Sequence, residues 1–281
     1  MRSFIHMSDT HFGTEDPSVV EALVSLVAAQ RPGLVVLSGD VTQRARRGQF
    51  EAAQRFLDRL GLPTLVVAGN HDIPLFNLVA RWRSPYAGFR RAFGDGLEPV
   101  HRAPGLHVVG VDSTTPWRHK DGELDAATIR RACERLEASE PGVVRVVVMH
   151  HPLLAITDSD LANLAHGHRE ALGAFRDCGV DLLLGGHIHL PYVRQAPGPA
   201  LDPERPLWIV QAGTAVSRRT RDGHPNSVHI VRYDAERCRV VVVEQWDHDA
   251  SEGRFTLVRC VPMTRDRNAR GSLGGATAAD V

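Results

Sequence analysis

Five short apolar runs, each ending in a turn that bears Asp, Asn or His, constrain this 281-residue chain more than any other feature. Phe4–Met7 runs into Ser8-Asp9-Thr10-His11-Phe12-Gly13, and Leu34–Leu37 into Ser38-Gly39-Asp40. Leu65–Ala68 leads to Gly69-Asn70-His71-Asp72, Val143–Met149 to His150-His151-Pro152, and Asp181–Leu184 to Gly185-Gly186-His187-Ile188-His189. The early runs are continuously apolar and β-branched, as expected of strands covered on both faces. Helical periodicity fills the gaps at Val19–Gln30, Phe50–Leu60, Leu75–Phe93, Asp125–Ala138 and Arg169–Cys178, with a further strand at His107–Val111. This alternation predicts an α/β architecture. In a parallel sheet the five turns would share one edge, where open α/β sheets place their ligands.

Leu207–Gln211, Ser227–Tyr233, Arg239–Gln245 and Arg254–Val258 read as strands with few helices between them. They predict a second, more antiparallel sheet packed on the first. Gln195–Pro206 is rich in Pro and Gly and reads as a loop. No linker divides residues 1–263, so a single domain is expected. The small, polar residues 264–281 predict a disordered tail.

The residues in the turns suit divalent metals. Carboxylate and imidazole favour Mn, Fe or Zn, and the absence of Cys from the turns argues against a structural zinc site. Asp9, His11, Asp40, Asn70, His150, His187 and His189 are too many for one ion. Two ions sharing a bridging carboxylate would use them all and could clamp both oxygens of an in-line displacement. Gly39, Gly69 and Gly186 are expected to let the chain turn sharply and let a substrate approach the backbone.

Asp9-x-His11, Gly39-Asp40, Gly69-Asn70-His71-Asp72, His150 and Gly186-His187-x-His189 together resemble the five motifs of the calcineurin-like metallophosphoesterase superfamily, in order and spacing. The resemblance implies a four-layer α-β-β-α sandwich of two mixed sheets. It implies that Asp9, His11 and His189 hold one ion, that Asn70, His150 and His187 complete the other, and that Asp40 and a hydroxide bridge them. It also implies that His71 is not a ligand but a catalytic group near the leaving oxygen, with Asp72 expected to orient it. Asn70, His71 and His151 are the expected substrate contacts. On chemistry alone either His150 or His151 could be the ligand, and the family pattern favours His150.

Within the superfamily the compact chain most resembles bacterial class III cyclic nucleotide phosphodiesterases and glycerophosphodiesterases, which implies a small phosphodiester substrate. A repair-type DNA nuclease shares the motifs. However, Lys+Arg and Asp+Glu are both 33, and a nucleic-acid partner needs clustered cationic charge. A scaffold that binds metal and partner proteins without turnover is a third reading, and retention of every ligand and of His71 argues against it. Ile73–Gly96, with Phe76, Trp82, Arg83, Tyr86, Phe89 and Arg90, is expected to cap the site or form a homodimer contact. His166 and His168 belong to a solvated loop or a substrate-contacting lip. Asp112-Ser113-Thr114 is expected in a turn that supports the site, and His6 in the core.

Cys133, Cys178, Cys238 and Cys260 form no Cys-x-x-Cys pair and read as free thiols in a reducing compartment. No apolar run is long enough for a membrane span, and the N-terminus lacks a signal-peptide core. The expectation is a cytoplasmic protein without membrane contact.

Overall fold

The computed structural model describes residues 1–138, 143–198, 206–221, 223–237 and 239–263. The expected tail, residues 264–281, and part of the Gln195–Pro206 loop lie outside them. In chain order the first half comprises β1 (Arg2–Met7), α1 (Pro17–Gln30), β2 (Val35–Ser38), α2 (Arg47–Leu60), β3 (Thr64–Val67), α3 (Leu78–Arg83), α4 (Ala87–Phe93), β4 (Val100–Ala103) and β5 (Leu106–Gly110). It continues with α5 (Ala126–Glu137), β6 (Val144–Val148), α6 (His168–Asp177), β7 (Leu182–Gly185), β8 (Tyr192–Gln195) and β9 (Trp208–Gln211). Three strands follow: β10 (Ser227–Asp234), β11 (Arg239–Asp249) and β12 (Arg254–Pro262).

Two mixed sheets are flanked by helices. One sheet has the order β12-β11-β10-β1-β2-β3 and the other β4-β5-β6-β7-β9-β8. Alternation along each strand builds the layers. In β1, Phe4 faces the opposite sheet while Ile5 and Met7 face α1 and α2. In β6, Val144, Val146 and Val148 join that central layer, and Val147 meets α5 and α6. Three apolar cores result, one between the sheets and one beneath each helical layer. Local signals set the helix ends. Asp16 caps α1 by accepting from the Ser18 N–H at 2.9 Å, with Pro17 in the first turn, a position where proline costs no hydrogen bond.

The partition of strands differs from the expected one. β1–β3 and β6–β7 do not share a sheet. β10–β12 extend the first sheet antiparallel from β1, and β9 lies parallel to β7 in the second. Strand pairing is non-local, and equally apolar runs carry no label for their sheet. β4 and β8 are edge strands of four residues each, too short to carry a periodic signal in the sequence. The helical stretch around Leu75–Phe93 is two short helices. Phe89 of α4 is fully buried and Phe93 packs on Phe50 of α2, whereas no residue of α3 is buried.

The cysteine reading needs correction. Cys133 and Cys178 form a disulfide, with Cα atoms 5.8 Å apart across 45 residues. They meet because α5 and α6 pack side by side, a proximity that spacing in the chain does not reveal. Cys260 is free and exposed, and Cys238 lies outside the described residues. The cross-link removes the support that cysteine usage lent to a reducing compartment. Among the described residues no helix is long and apolar enough to cross a membrane.

Candidate metal centre

The site forms where the two sheets meet at one edge. The turns after β1 and β2 interlock, because Asp9 N–H donates to Gly39 C=O at 3.1 Å and His11 N–H to Asp40 C=O at 2.9 Å. The turn after β7 is tied across to the first sheet by the His187 N–H, which donates to Asp9 Oδ2 at 3.0 Å. Likewise His71 N–H donates to Asp40 Oδ1 at 2.8 Å. Seven described non-glycine residues have positive φ, and five of them are Asp9, His11, Asp40, His187 and His189. Each such conformation costs about 1–3 kcal/mol and persists only where its surroundings over-determine it. Backbone strain is therefore concentrated on the expected ligands.

All seven expected ligands converge. His189 Nε2 lies 3.1 Å from Asp9 Oδ1 and 3.3 Å from His11 Nε2. On the other side, Asn70 Oδ1 stands 3.2 Å from His150 Nε2 and 3.1 Å from His187 Nδ1. Asp40 sits between, its Oδ2 3.7 Å from His11 Nε2 and 3.4 Å from His150 Nε2. Candidate donor atoms of Asp9, His11 and His189 lie within 4.8 Å of one another, as do those of Asp9, Asp40 and His150. Asp9 Oδ1 is buried and faces imidazole nitrogens, His189 Nε2 at 3.1 Å and His11 Nε2 at 3.7 Å. Two carboxylates, an amide oxygen and imidazole nitrogens facing one another in a buried cluster fit divalent cations better than they fit each other.

The electrostatics agree. Burial opposes ionisation of Asp40, but the His150 imidazole outweighs it and holds the carboxyl well below its usual range. Asp9 is likewise held low, with His189 overcoming burial. Burial would depress His150, yet the Asp40 carboxylate pushes it up to about 9. His189 is raised against burial by Asp9. His187 is lowered to about 4 and His11 to about 3, chiefly by burial. Of the imidazoles near carboxylates, His150 and His189 are thus raised while His11 is lowered.

Surrounding groups aim the rings. His150 Nδ1 is bonded to Ser38 C=O at 2.9 Å, and His189 Nδ1 to Thr214 Oγ1 at 2.9 Å and Arg219 C=O at 2.5 Å. Such bonds leave Nε2 as the nitrogen free to take a metal ion. His151 is fully buried, with Nδ1 on Ser113 Oγ at 2.9 Å and Nε2 on Lys120 C=O at 3.1 Å. Both its nitrogens are engaged by protein, so it buttresses His150 and His187 rather than facing substrate. Ser113 thereby gives the Asp112–Thr114 turn its supporting role. His6 is buried, bonded to Ser38 Oγ at 2.8 Å.

His71 stands beside the cluster of His11 and Asp40. Its Nδ1 bonds Gln43 C=O at 2.9 Å, which turns Nε2 outward. The Asp72 carboxylate does not touch that ring. It accepts from the N–H groups of Val41, Thr42 and Gly69 at 3.1, 2.8 and 3.0 Å. Burial and nearby Asp40 raise its pKa to about 7 against those bonds. Asp72 staples the β2 turn to the β3 turn. Gly39 makes the expected sharp turn, with φ 92°, but the space the glycines leave is used differently. A Cβ on Gly69 would collide with the Asp40 carboxylate, and one on Gly186 would strike Ser8 and lie 2.6 Å from Asp9 Oδ2. It is the ligand side chains, not a substrate, that need the space.

At the rim, His166 Nε2 pairs with Arg118 at 3.1 Å and His168 Nδ1 with Ala165 C=O at 3.0 Å. Tyr86 anchors the 73–96 segment through a 2.7 Å hydrogen bond to Thr114 Oγ1. A cavity of about 460 Å³ lies between that segment and the start of α2, lined by Arg44, Arg46, Phe76, Asn77 and Arg91 among others. Sequence reasoning missed Arg219, whose Nη1 lies 3.3 Å from His71 Nε2 and 3.0 Å from Gln43 Oε1. It sits in a loop with no motif, and only its adjacency to a second arginine marks it.

The chain is 30% identical over 166 residues to a probable cyclic nucleotide phosphodiesterase of Synechococcus, a match covering 58% of this chain and 60% of that protein. The match thus spans less than two thirds of that relative. It is 27% identical over 206 residues to the glycerophosphodiester phosphodiesterase GpdQ of Enterobacter lignolyticus, covering 66% and 69%. A dimetal phosphatase from Danio rerio shares the fold, with a TM-score of 0.65 over 94% of this chain and 98% of the other at 14% identity. A purple acid phosphatase from yellow lupin, Lupinus luteus, gives 0.62 over 93% and 53% at 10% identity. Residues 2–191 match the calcineurin-like phosphoesterase family. With its motifs gathered into one buried His/Asp cluster between two sheets, the chain belongs to that family.

Proposed function

We propose that this protein is a phosphodiesterase for small diesters, with cyclic mononucleotides as the first candidates, and that it works with two divalent or trivalent ions drawn from Mn, Fe and Zn. The observation that carries the reading is the donor set divided about Asp40, with Asp9, His11 and His189 on one side and Asn70, His150 and His187 on the other. Ions bound there would supply Lewis acidity toward the phosphoryl oxygens and a water acidic enough to attack phosphorus near neutral pH. The chain's own groups orient and protonate. His71, held at Nδ1 by Gln43 C=O, presents Nε2 beside Arg219; once that guanidinium turns to the substrate, a proton on Nε2 can pass to the departing alkoxide. Asn70 and His71 line the substrate side. Asp72 acts through the loops it joins. The names of the two relatives support a diester substrate.

The test is a panel with Mn²⁺ added: bis(p-nitrophenyl) phosphate, p-nitrophenyl phosphate, cyclic AMP, a glycerophosphodiester and single-stranded DNA. Diester turnover with loss on His71→Ala, metal content being retained, is the expected result. Hydrolysis of the monoester alone would overturn the diesterase reading. Inactivity with every metal would favour a scaffold.

A further inference from the structure

Three arginines follow one another closely after β9, and they are not equivalent. Arg218 pairs with Asp16 at 3.4 Å. Arg221 is half-buried, and its Nη1 reaches both oxygens of buried Asp160 at 2.9 Å and Ile188 C=O at 3.3 Å. Arg219 differs. Its hydrogen-bond partners are Gln43 Oε1 and His71 Nε2, and neither is a carboxylate. Both contacts use Nη1, so among the described residues Nη2 and Nε are left without a hydrogen bond.

The backbone beneath it is fixed. Arg219 C=O accepts from Thr214 Oγ1 at 2.9 Å and from the His189 ring, and its N–H donates to Ser217 Oγ at 3.0 Å. Asn226 Nδ2 donates to Ser217 C=O at 2.8 Å. The residue that aims the expected ligand His189 with its carbonyl thus swings its side chain over to His71. A guanidinium with a free edge, anchored at one corner and placed beside an outward imidazole nitrogen, matches the fork geometry that arginine uses for phosphoryl oxygens.

We propose that Arg219 is a substrate-binding residue whose guanidinium grips a non-bridging oxygen of the scissile phosphoryl group, beside His71. The inference rests on the phosphoester reading of the site and adds a residue outside the motifs. Gln43 serves as its positioning residue. Since the carbonyl of residue 219 survives any side-chain change, Arg219 substitutions should spare His189.

The experiment uses the full chain loaded with Mn²⁺, with inorganic phosphate as the probe in calorimetry and bis(p-nitrophenyl) phosphate as the kinetic substrate. Arg219→Gln should retain the wild-type metal content and melting temperature. It should weaken phosphate binding about tenfold or more, the loss expected for one charge-assisted hydrogen bond. It should raise KM for the diester by a similar factor, with kcat changing less. Arg219→Lys should recover part of the phosphate affinity. Phosphate binding within twofold of wild type in Arg219→Gln would overturn the proposal, as would loss of metal from that variant. If the wild type cleaves no diester but its phosphate binding still depends on Arg219, the diesterase reading falls and this inference stands.

Discussion

Arg221 and Asp160 form the clasp that holds the Arg219 loop, and their energetic coupling can be worked from the structure. Asp160 is 2% exposed. Besides Arg221 it accepts from Thr157 Oγ1 at 2.5 Å and Asn163 Nδ2 at 3.4 Å. Removing the arginine strands a buried carboxylate, a loss that costs about 3–5 kcal/mol for a fully buried pair. The Arg221 side chain is 29% exposed, so water can reach the gap and about 3 kcal/mol is the fitting value for Arg221→Met. Asp160→Asn keeps the shape and frees an arginine that can turn to solvent, and about 2 kcal/mol is expected. Once either partner is gone the other contributes little, so the double variant should lose about 3 kcal/mol and the coupling should be about 2 kcal/mol. Urea unfolding of the four proteins measures the cycle, and Arg221→Met should melt roughly 6 °C lower. Additive losses, with coupling below about 0.5 kcal/mol, would refute the reasoning and leave the loop held by its backbone bonds alone.

Other consequences are as direct. Ligating imidazoles must be neutral, whereas His150, raised to about 9, carries a proton near pH 7 in the metal-free protein, and Asp9 shifts His189 in the same direction. The stability that the raised His150 contributes is full below its unfolded value and lost as pH rises through about 9. Metal affinity should therefore strengthen with pH, with release of at least one proton detectable by calorimetry in buffers of different ionisation enthalpy, and zero release would contradict it. Gly186→Ala forces Ser8 and Asp9 aside, costing about 1–3 kcal/mol together with metal retention; a fully loaded variant of wild-type stability would count against this. The disulfide closes 45 residues, for which chain entropy predicts up to about 4 kcal/mol, so Cys133→Ser should lower the melting temperature by several degrees. Phe76, Leu78, Val79 and Trp82 are 66–77% exposed on and beside α3, a patch suited to a homodimer contact. Trp82→Glu should convert dimer to monomer in light scattering, and a wild type already monomeric would remove this role.

The expected ligands are legible because their signal is local: an apolar run, a sharp turn and a residue type that can bind metal. Asp9, Asp40 and His187 needed no knowledge of which strands pair. What depends on long-range neighbours was not legible. β1 and β6 look alike as runs, yet they belong to different sheets. Cys133 and Cys178 meet only because α5 and α6 pack side by side in one layer. Asp72 sits next to His71 in sequence and reads as its partner, but the short helical turn at Asn70–Asp72 points its carboxylate at the β2 loop. Arg219 belongs to no motif and acts through its place in space.

The division of the ligands between the sheets has a mechanical consequence. Asp9, His11, Asp40 and Asn70 hang from β1–β3, while His150, His187 and His189 hang from β6 and β7. Between the two groups lies an apolar layer, crossed at this edge by the hydrogen bonds of His187 N–H to Asp9 Oδ2 and of His150 Nδ1 to Ser38 C=O. A slip of one sheet past the other by a fraction of an ångström would change the gap between the two halves of the donor set. Ions seated in that gap would act as rivets across a shear plane. Filling the centre would then add to those hydrogen bonds in registering the two halves of the molecule, as well as arm it.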